Sequence, residues 1–256
     1  MTLIKRILPA LAGALGFVCA NLAFAEEAAP PQLVAETFAC SYKDGKDWND
    51  KKKAVDNLEA QLEKAGLPKV PAFHWTRTRG LAPVDTVWFD IYPNFGAFAE
   101  ASDNWDASGI GANVNAAFDK VEDCDAGLSV IRPVFQREGE NTGQDGPTVV
   151  VNLACGYKDG AGPGNLPDLG QHIGQVLQSF GDNSPNFAAM RTPITNGANY
   201  PDVFLFYVFD NNVQWANYAQ QLFGTEAGQS MRNHLGMVLD CSISTWSASM
   251  VMAPDA

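Results

Sequence analysis

Phe38-Ala39-Cys40-Ser41-Tyr42-Lys43-Asp44-Gly45 returns farther along the chain as Leu153-Ala154-Cys155-Gly156-Tyr157-Lys158-Asp159-Gly160, with six of the eight positions identical. Residues 85–124 also align without a gap on 202–241, and both stretches end on Val-x-Asp-Cys. Only 8 of those 40 positions are identical, so the two copies share a framework more than a surface. A repeat of this length sets domain count, architecture and cysteine pairing together. We therefore read residues 33–136 as a first repeat, 137–147 as a polar, glycine-rich linker, and 148–253 as a second repeat.

The elements follow from residue periodicity. In the first copy Leu33 to Tyr42 reads as a strand that ends in the Lys43-Asp44-Gly45 turn. Asp47 is an N-cap, and Val55, Leu58 and Leu62 then recur at helical spacing until Gly66 and Pro68 stop the helix. Ala72 to Arg79 and Thr86 to Tyr92 read as strands. Asn94 caps a second helical region that Gly109 and Gly111 interrupt, and Cys124 to Phe135 closes the unit as a fourth strand. The second copy repeats this order with a cleaner first helix, whose Leu169, Ile173, Val176, Leu177 and Phe180 form one stripe. Its third strand, Val203 to Phe209, is apolar at every position, which predicts burial on both faces.

Each copy is thus β-α-β-β-α-β, the ferredoxin-like order, and the fold class is α+β. Four cysteines permit three pairings. In this topology the first and fourth strands are antiparallel neighbours, which selects Cys40–Cys124 and Cys155–Cys241, one disulfide per repeat.

The N-terminus has the pattern of a secretory signal peptide over residues 1–25. Lys5 and Arg6 precede an apolar run from Ile7 to Leu22, and Ala23-Phe24-Ala25 supplies small residues for cleavage. Removing it also removes Cys19 and two basic residues, and leaves a charge of 15 − 29 = −14. An exported protein, periplasmic or extracellular, is the expectation, and disulfides suit that compartment. So acidic a chain lacks the basic surface that nucleic acid or anionic lipid requires, and no later segment is apolar enough to span a bilayer. The one basic cluster, Lys51-Lys52-Lys53, sits among Asp47, Asp50, Asp56 and Glu59 and reads as a solvated helix face.

The order and duplication of elements, with the fully apolar strand at Val203 to Phe209, resemble the fused form of the dimeric α/β-barrel superfamily. The resemblance implies two ferredoxin-like sheets packed as a pseudo-dimeric barrel in a monomer with pseudo-two-fold symmetry. That superfamily includes cofactor-independent monooxygenases, chlorite dismutase-like haem proteins, lactone isomerases and stress-response binding proteins, so fold alone narrows function little.

Two groups of side chains stand out as candidate ligand-binding residues. Tyr42, Lys43 and Asp44, with Tyr157, Lys158 and Asp159, could form paired polar sites at strand ends. The competing reading is that Asp-Gly makes a turn, tyrosine packs on the disulfide and lysine is solvated. Trp75, Arg77 and Arg79, with Trp88 nearby, could hold an anionic or aromatic ligand on one strand face. The alternative there is a charged edge strand. His74, His172 and His234 have no metal-ligand spacing and read as solvent-facing or helix-flank residues, so no metal and no cofactor is expected. No catalytic signature appears. The expected function is small-molecule binding between sheet and helices. The alternatives are a cofactor-independent monooxygenase- or isomerase-like enzyme and a structural or interaction module. What both copies keep is mostly turn, cysteine and core, which directs the search for a site to the positions where they differ.

Overall fold

The computed structural model describes residues 32–137, 147–195 and 200–254, so the expected signal segment and most of the expected linker lie outside the described residues. The first half runs β1 (Leu33–Tyr42), α1 (Trp48–Ala65), β2 (Ala72–Gly80), β3 (Thr86–Tyr92), α2 (Phe95–Ser108), α3 (Gly111–Phe118) and β4 (Glu122–Gln136). The second half repeats that order with β5 (Thr148–Tyr157), α4 (Leu166–Ser179), β6 (Phe187–Pro193), β7 (Val203–Phe209), α5 (Asn212–Gly224), α6 (Glu226–Val238) and β8 (Leu239–Met252).

Local chemistry accounts for the boundaries. The Asp47 carboxylate accepts from the backbone N–H of Asn49 at 2.8 Å and of Asp50 at 3.3 Å, satisfying donors that the first turn of α1 leaves free. Asn94 and Asn211 cap α2 and α5 in the same way. The second helical region of each half breaks into two helices, as its glycines predict. A side chain at Gly111 would place Cβ 2.8 Å from the indole nitrogen of Trp105, so only glycine lets α3 pack this closely on α2. Gly228 holds the matching place against the backbone of Leu222.

The eight strands form one closed antiparallel barrel in the order β1-β3-β2-β8-β5-β7-β6-β4. The two halves join edge to edge, β2 on β8 and β4 on β6, and closure leaves none of these strands with a free edge. Inside, residues from all eight strands make an apolar core around Ala35, Trp75, Phe89, Val150, Phe206 and Trp246. A barrel of eight strands is just wide enough for side chains to fill it. Arg191 is buried in this interior, with its guanidinium 3.8 Å from the Phe204 ring and 3.3 Å from the Thr37 hydroxyl. The helices pack outside, so strands are covered on both faces. Val203–Phe209 is accordingly buried at six of its seven positions.

Cys40 lies opposite Cys124, and Cys155 opposite Cys241, on directly paired strand positions. Both pairs are disulfide-bonded, spanning 84 and 86 residues, and the pairing expected from topology is present.

Two sequence expectations are corrected. Lys51 is not solvated: it is fully buried, with its ammonium 2.8 Å from the Glu122 carboxylate and 3.3 Å from the Thr86 hydroxyl. Only Lys52 and Lys53 are exposed. The reason is helical phase, since Lys51, Val55, Leu58 and Leu62 share one face of α1 and that face turns to the sheet. His74 is likewise buried rather than solvent-facing. Its ring stacks on Trp48 at 4.2 Å and 20°.

Candidate functional site

On the outer face of the first half, the space between sheet and helices is not filled. A cavity of about 680 Å³ lies over β1, β3 and β4 and under α1, α2 and α3. Strand alternation selects its floor: Glu36 and Phe38 from β1, Trp88, Asp90 and Tyr92 from β3, and Glu122 and Ala126 from β4. Leu58, Leu62, Trp105, Val114 and Phe118 from the helices form the walls and roof. None of the α2 residues is buried.

The charged groups on the floor fall into two sets. Lys51 and Glu122 neutralise each other at one end, with the Lys51 ammonium 5.8 Å from the centre of the Trp88 ring. Burial holds the Lys51 amine below its ordinary range, and Glu122 opposes that shift. His74 lies behind this pair. Burial, and then the Lys51 charge, lower its imidazole to about 3, so it is neutral at any ordinary pH. Its Nε2 has no hydrogen-bond partner among the described residues.

Glu36 and Asp90 form the second set. They are directly paired across β1 and β3, which puts their carboxyl groups side by side on the cavity floor. The Trp88 indole N–H donates to Asp90 at 2.7 Å. Burial pushes the Asp90 carboxyl up to about 7; the Trp88 hydrogen bond pulls the other way, and the Glu36 charge adds to the rise. Burial raises the Glu36 carboxyl as well, and the Tyr92 hydroxyl is pushed up by burial and by both carboxylates. A carboxyl group that titrates near neutrality in an apolar cavity can accept a hydrogen bond from a ligand, hold a cation or carry a proton.

Of the residues singled out from sequence, Trp88 lines this cavity. Trp75 does not, because it points into the barrel and packs on Phe89, Phe206 and Trp246. Arg77 is tied to Asp85 at 3.2 Å and to the Ala82 carbonyl, Arg79 is exposed, and a register shift between them breaks the shared strand face.

The repeated Tyr-Lys-Asp-Gly motif is placed in turns and caps. Gly45 and Gly160 have φ of 74° and 81°, a turn geometry that favours glycine. The Lys43 ammonium reaches the Asp119 carbonyl and pairs with Asp123 at 3.0 Å, and Lys158 reaches the Gly236 carbonyl near the end of α6. Asp44 and Asp159 are exposed in the turns. The backbone N–H groups of Tyr42 and Tyr157 donate to Asp85 and Asp202, which accounts for an aspartate that the two halves share. The hydroxyls of both tyrosines are buried without a partner among the described residues.

Glu36, Lys51, Asp90 and Glu122 were missed as site residues. His172 and His234 are widely separated in sequence, yet their rings come to 4.8 Å in an open groove between α4 and α6, where His172 Nε2 is 3.2 Å from the Ser230 hydroxyl.

No family model and no curated protein matches the chain. Solved structures do. A candidate monooxygenase from Fusobacterium nucleatum subsp. nucleatum superposes with a TM-score of 0.54 at 14% identity, covering 90% of this chain and 96% of that one. An anthrone oxidase-like protein superposes with a TM-score of 0.55 at 11% identity, covering 88% and 93%. At these identities the likeness is one of fold. This chain shares the α+β-barrel fold of those structures.

Proposed function

We propose that this protein is exported and binds a small organic molecule in the cavity between the sheet and the helices of its first half. One observation carries the reading: a cavity of about 680 Å³ stands in the first half where the second half carries a continuous apolar core. Ligand sites are mostly apolar cavities with a few convergent polar groups, and this one combines aromatic walls with Glu36, Asp90 and Tyr92. The repeated element order supports a duplicated module, split near residues 137–147, whose two halves stand in for the two subunits of a dimer within one monomer. The signal-like residues 1–25 and the two disulfides support export.

Filling the cavity tests the reading. Glu36→Val with Asp90→Tyr installs the residues that the second half carries at the matching positions. Native mass spectrometry of protein from its natural host should show a retained small molecule in the wild type and none in this variant. Equal retention by both would place the ligand elsewhere.

A second reading, a cofactor-independent enzyme of monooxygenase or isomerase type in the same cavity, is favoured by the Asp90 carboxyl. Its titration near 7 beside Glu36 suits a general base. Turnover of the retained compound with a pH profile that Asp90→Asn abolishes would favour the enzyme, and retention without turnover favours the binder.

A further inference from the structure

We propose that the molecule held in this cavity is an organic cation, an amine with an apolar body, whose charge sits between Glu36 and Asp90. This inference rests on the cavity being a binding site. Its first support is charge. The lining carries the carboxylates Glu36, Asp90, Asp106, Asp119 and Glu122 and one cation, Lys51. Glu122 neutralises that cation at 2.8 Å, so no lining cation remains for an anionic ligand. An anion entering here would meet only like charge and lose its water, which is costly in a site of low dielectric.

The second support is the placement of the carboxylates. Asp106 and Asp119 are exposed at the rim, whereas Glu36 and Asp90 are directly paired on the floor, where the Trp88 indole N–H donates to Asp90. Two adjacent carboxyl groups in an apolar space repel, and a bound ammonium removes that repulsion by hydrogen-bonding both. The third support is the wall. Trp88 and Tyr92 lie beside the carboxyl pair and Trp105 and Phe118 line the same cavity, and such rings hold both the cation, by their electron-rich faces, and the apolar body behind it.

The test is titration calorimetry with three probes of one shape: 4-phenylbutylamine, 4-phenylbutan-1-ol and 4-phenylbutyrate, on the wild type and on Glu36→Gln/Asp90→Asn. That double variant keeps side-chain shape and removes two mutually repelling carboxylates, so it folds, and near-ultraviolet circular dichroism checks that it does. The amine should bind tightest, by about tenfold or more over the alcohol, as a charge-assisted hydrogen bond implies. The double variant should lose that advantage and bind the amine no more tightly than the alcohol. Equal or tighter binding of the carboxylate or the alcohol, or amine binding unchanged in the double variant, overturns the ligand class and leaves the cavity as a site. Binding of none of the three to the wild type overturns the cavity reading and this inference with it.

Discussion

The two helix layers of this barrel have the same element order and opposite interiors. Behind the sheet of the second half, nineteen buried hydrophobic residues make one continuous core. Behind the first half, five do, and a cavity takes the remaining space. Strand register shows the exchange position by position. Glu36 pairs with Asp90 where Val151 pairs with Tyr207, and Phe38 with Trp88 where Leu153 pairs with Leu205. Cys40 pairs with Thr86 where Cys155 pairs with Val203, and Tyr42 with Glu122 where Tyr157 pairs with Leu239. The buried Lys51 in the first turn of α1 has its counterpart in Leu166, the first residue of α4. One layer holds the barrel together, and the other gives up packing for an apolar cavity with charged groups on its floor.

The largest expected effect tests whether the halves share one scaffold. Replacing Cys40 and Cys124 by alanine, or Cys155 and Cys241, opens loops of nearly equal length, 84 and 86 residues. The chain-entropy model then gives nearly equal losses of roughly 4–5 kcal/mol each. Denaturant titration of the two variants measures this. A much larger loss for the first pair would mean that the cavity-bearing half depends on its disulfide to hold shape, and the scaffolds would not be equivalent.

Next comes the buried ion pair. Glu122→Gln leaves the Lys51 ammonium buried without its counter-charge and should cost about 3–5 kcal/mol. Lys51→Leu, Thr86→Val and Glu122→Leu together install the second half's residues, and that triple variant should be neutral or more stable, by up to about 4 kcal/mol. The contrast between the two variants is the measurement. If the triple variant is as unstable as Glu122→Gln, the site has lost something that apolar packing does not replace, and the pair has a role beyond filling space.

How much of this was legible in the sequence differs between scaffold and site. The limits of β1, β3 and β7, the caps at Asp47 and Asn94 and both disulfides follow from alternation, turn residues and element order, because these depend on neighbours in sequence or on pairing that the strand order fixes. Lys51 did not follow. A lysine triplet among acidic residues looks like a solvated face, and its partner Glu122 is remote in sequence. The signal was present in helical phase, since Lys51 falls on the stripe of Val55, Leu58 and Leu62 whereas Lys52 and Lys53 do not. The comparison of the two halves held the rest: Glu36, Thr86, Asp90 and Glu122 are the polar residues at positions where the second half carries Val151, Val203, Tyr207 and Leu239. Trp75 and Arg77 misled for a related reason. Alternation says which residues share a strand face but not which face is the barrel interior, and a register shift then separates Arg77 from Arg79.

The smallest expected effect isolates the electrostatic side of the contrast. Asp90 holds its proton to about pH 7 in the folded protein, whereas an ordinary aspartate titrates at 3.8. Between those values the folded state binds more protons than the unfolded state, so this group favours unfolding increasingly as pH rises through that window. Asp90→Asn cannot ionise and loses the slope. The variant and the wild type should be about equally stable near pH 4, with the variant ahead by about 1–2 kcal/mol at pH 8, as denaturant titration across that range would measure. Linkage at ~1.4 kcal/mol per pH unit over the whole window would give more, but Asp90 is only partly buried by surface, on the floor of a cavity, and that exposure weakens the effect. His74 acts in the opposite sense: its lowered imidazole favours unfolding as pH falls from about 6.5 toward 3, so wild type and variant must be compared at each pH for that contribution to cancel. Tyr207, which holds the position of Asp90 in the second half, is pushed up by burial and does not ionise in this range. Tyr207→Phe should therefore give a difference that is flat with pH. A flat difference for Asp90→Asn as well would mean that Asp90 stays ionised in the folded protein, and the two layers would then differ in shape but not in how they treat charge.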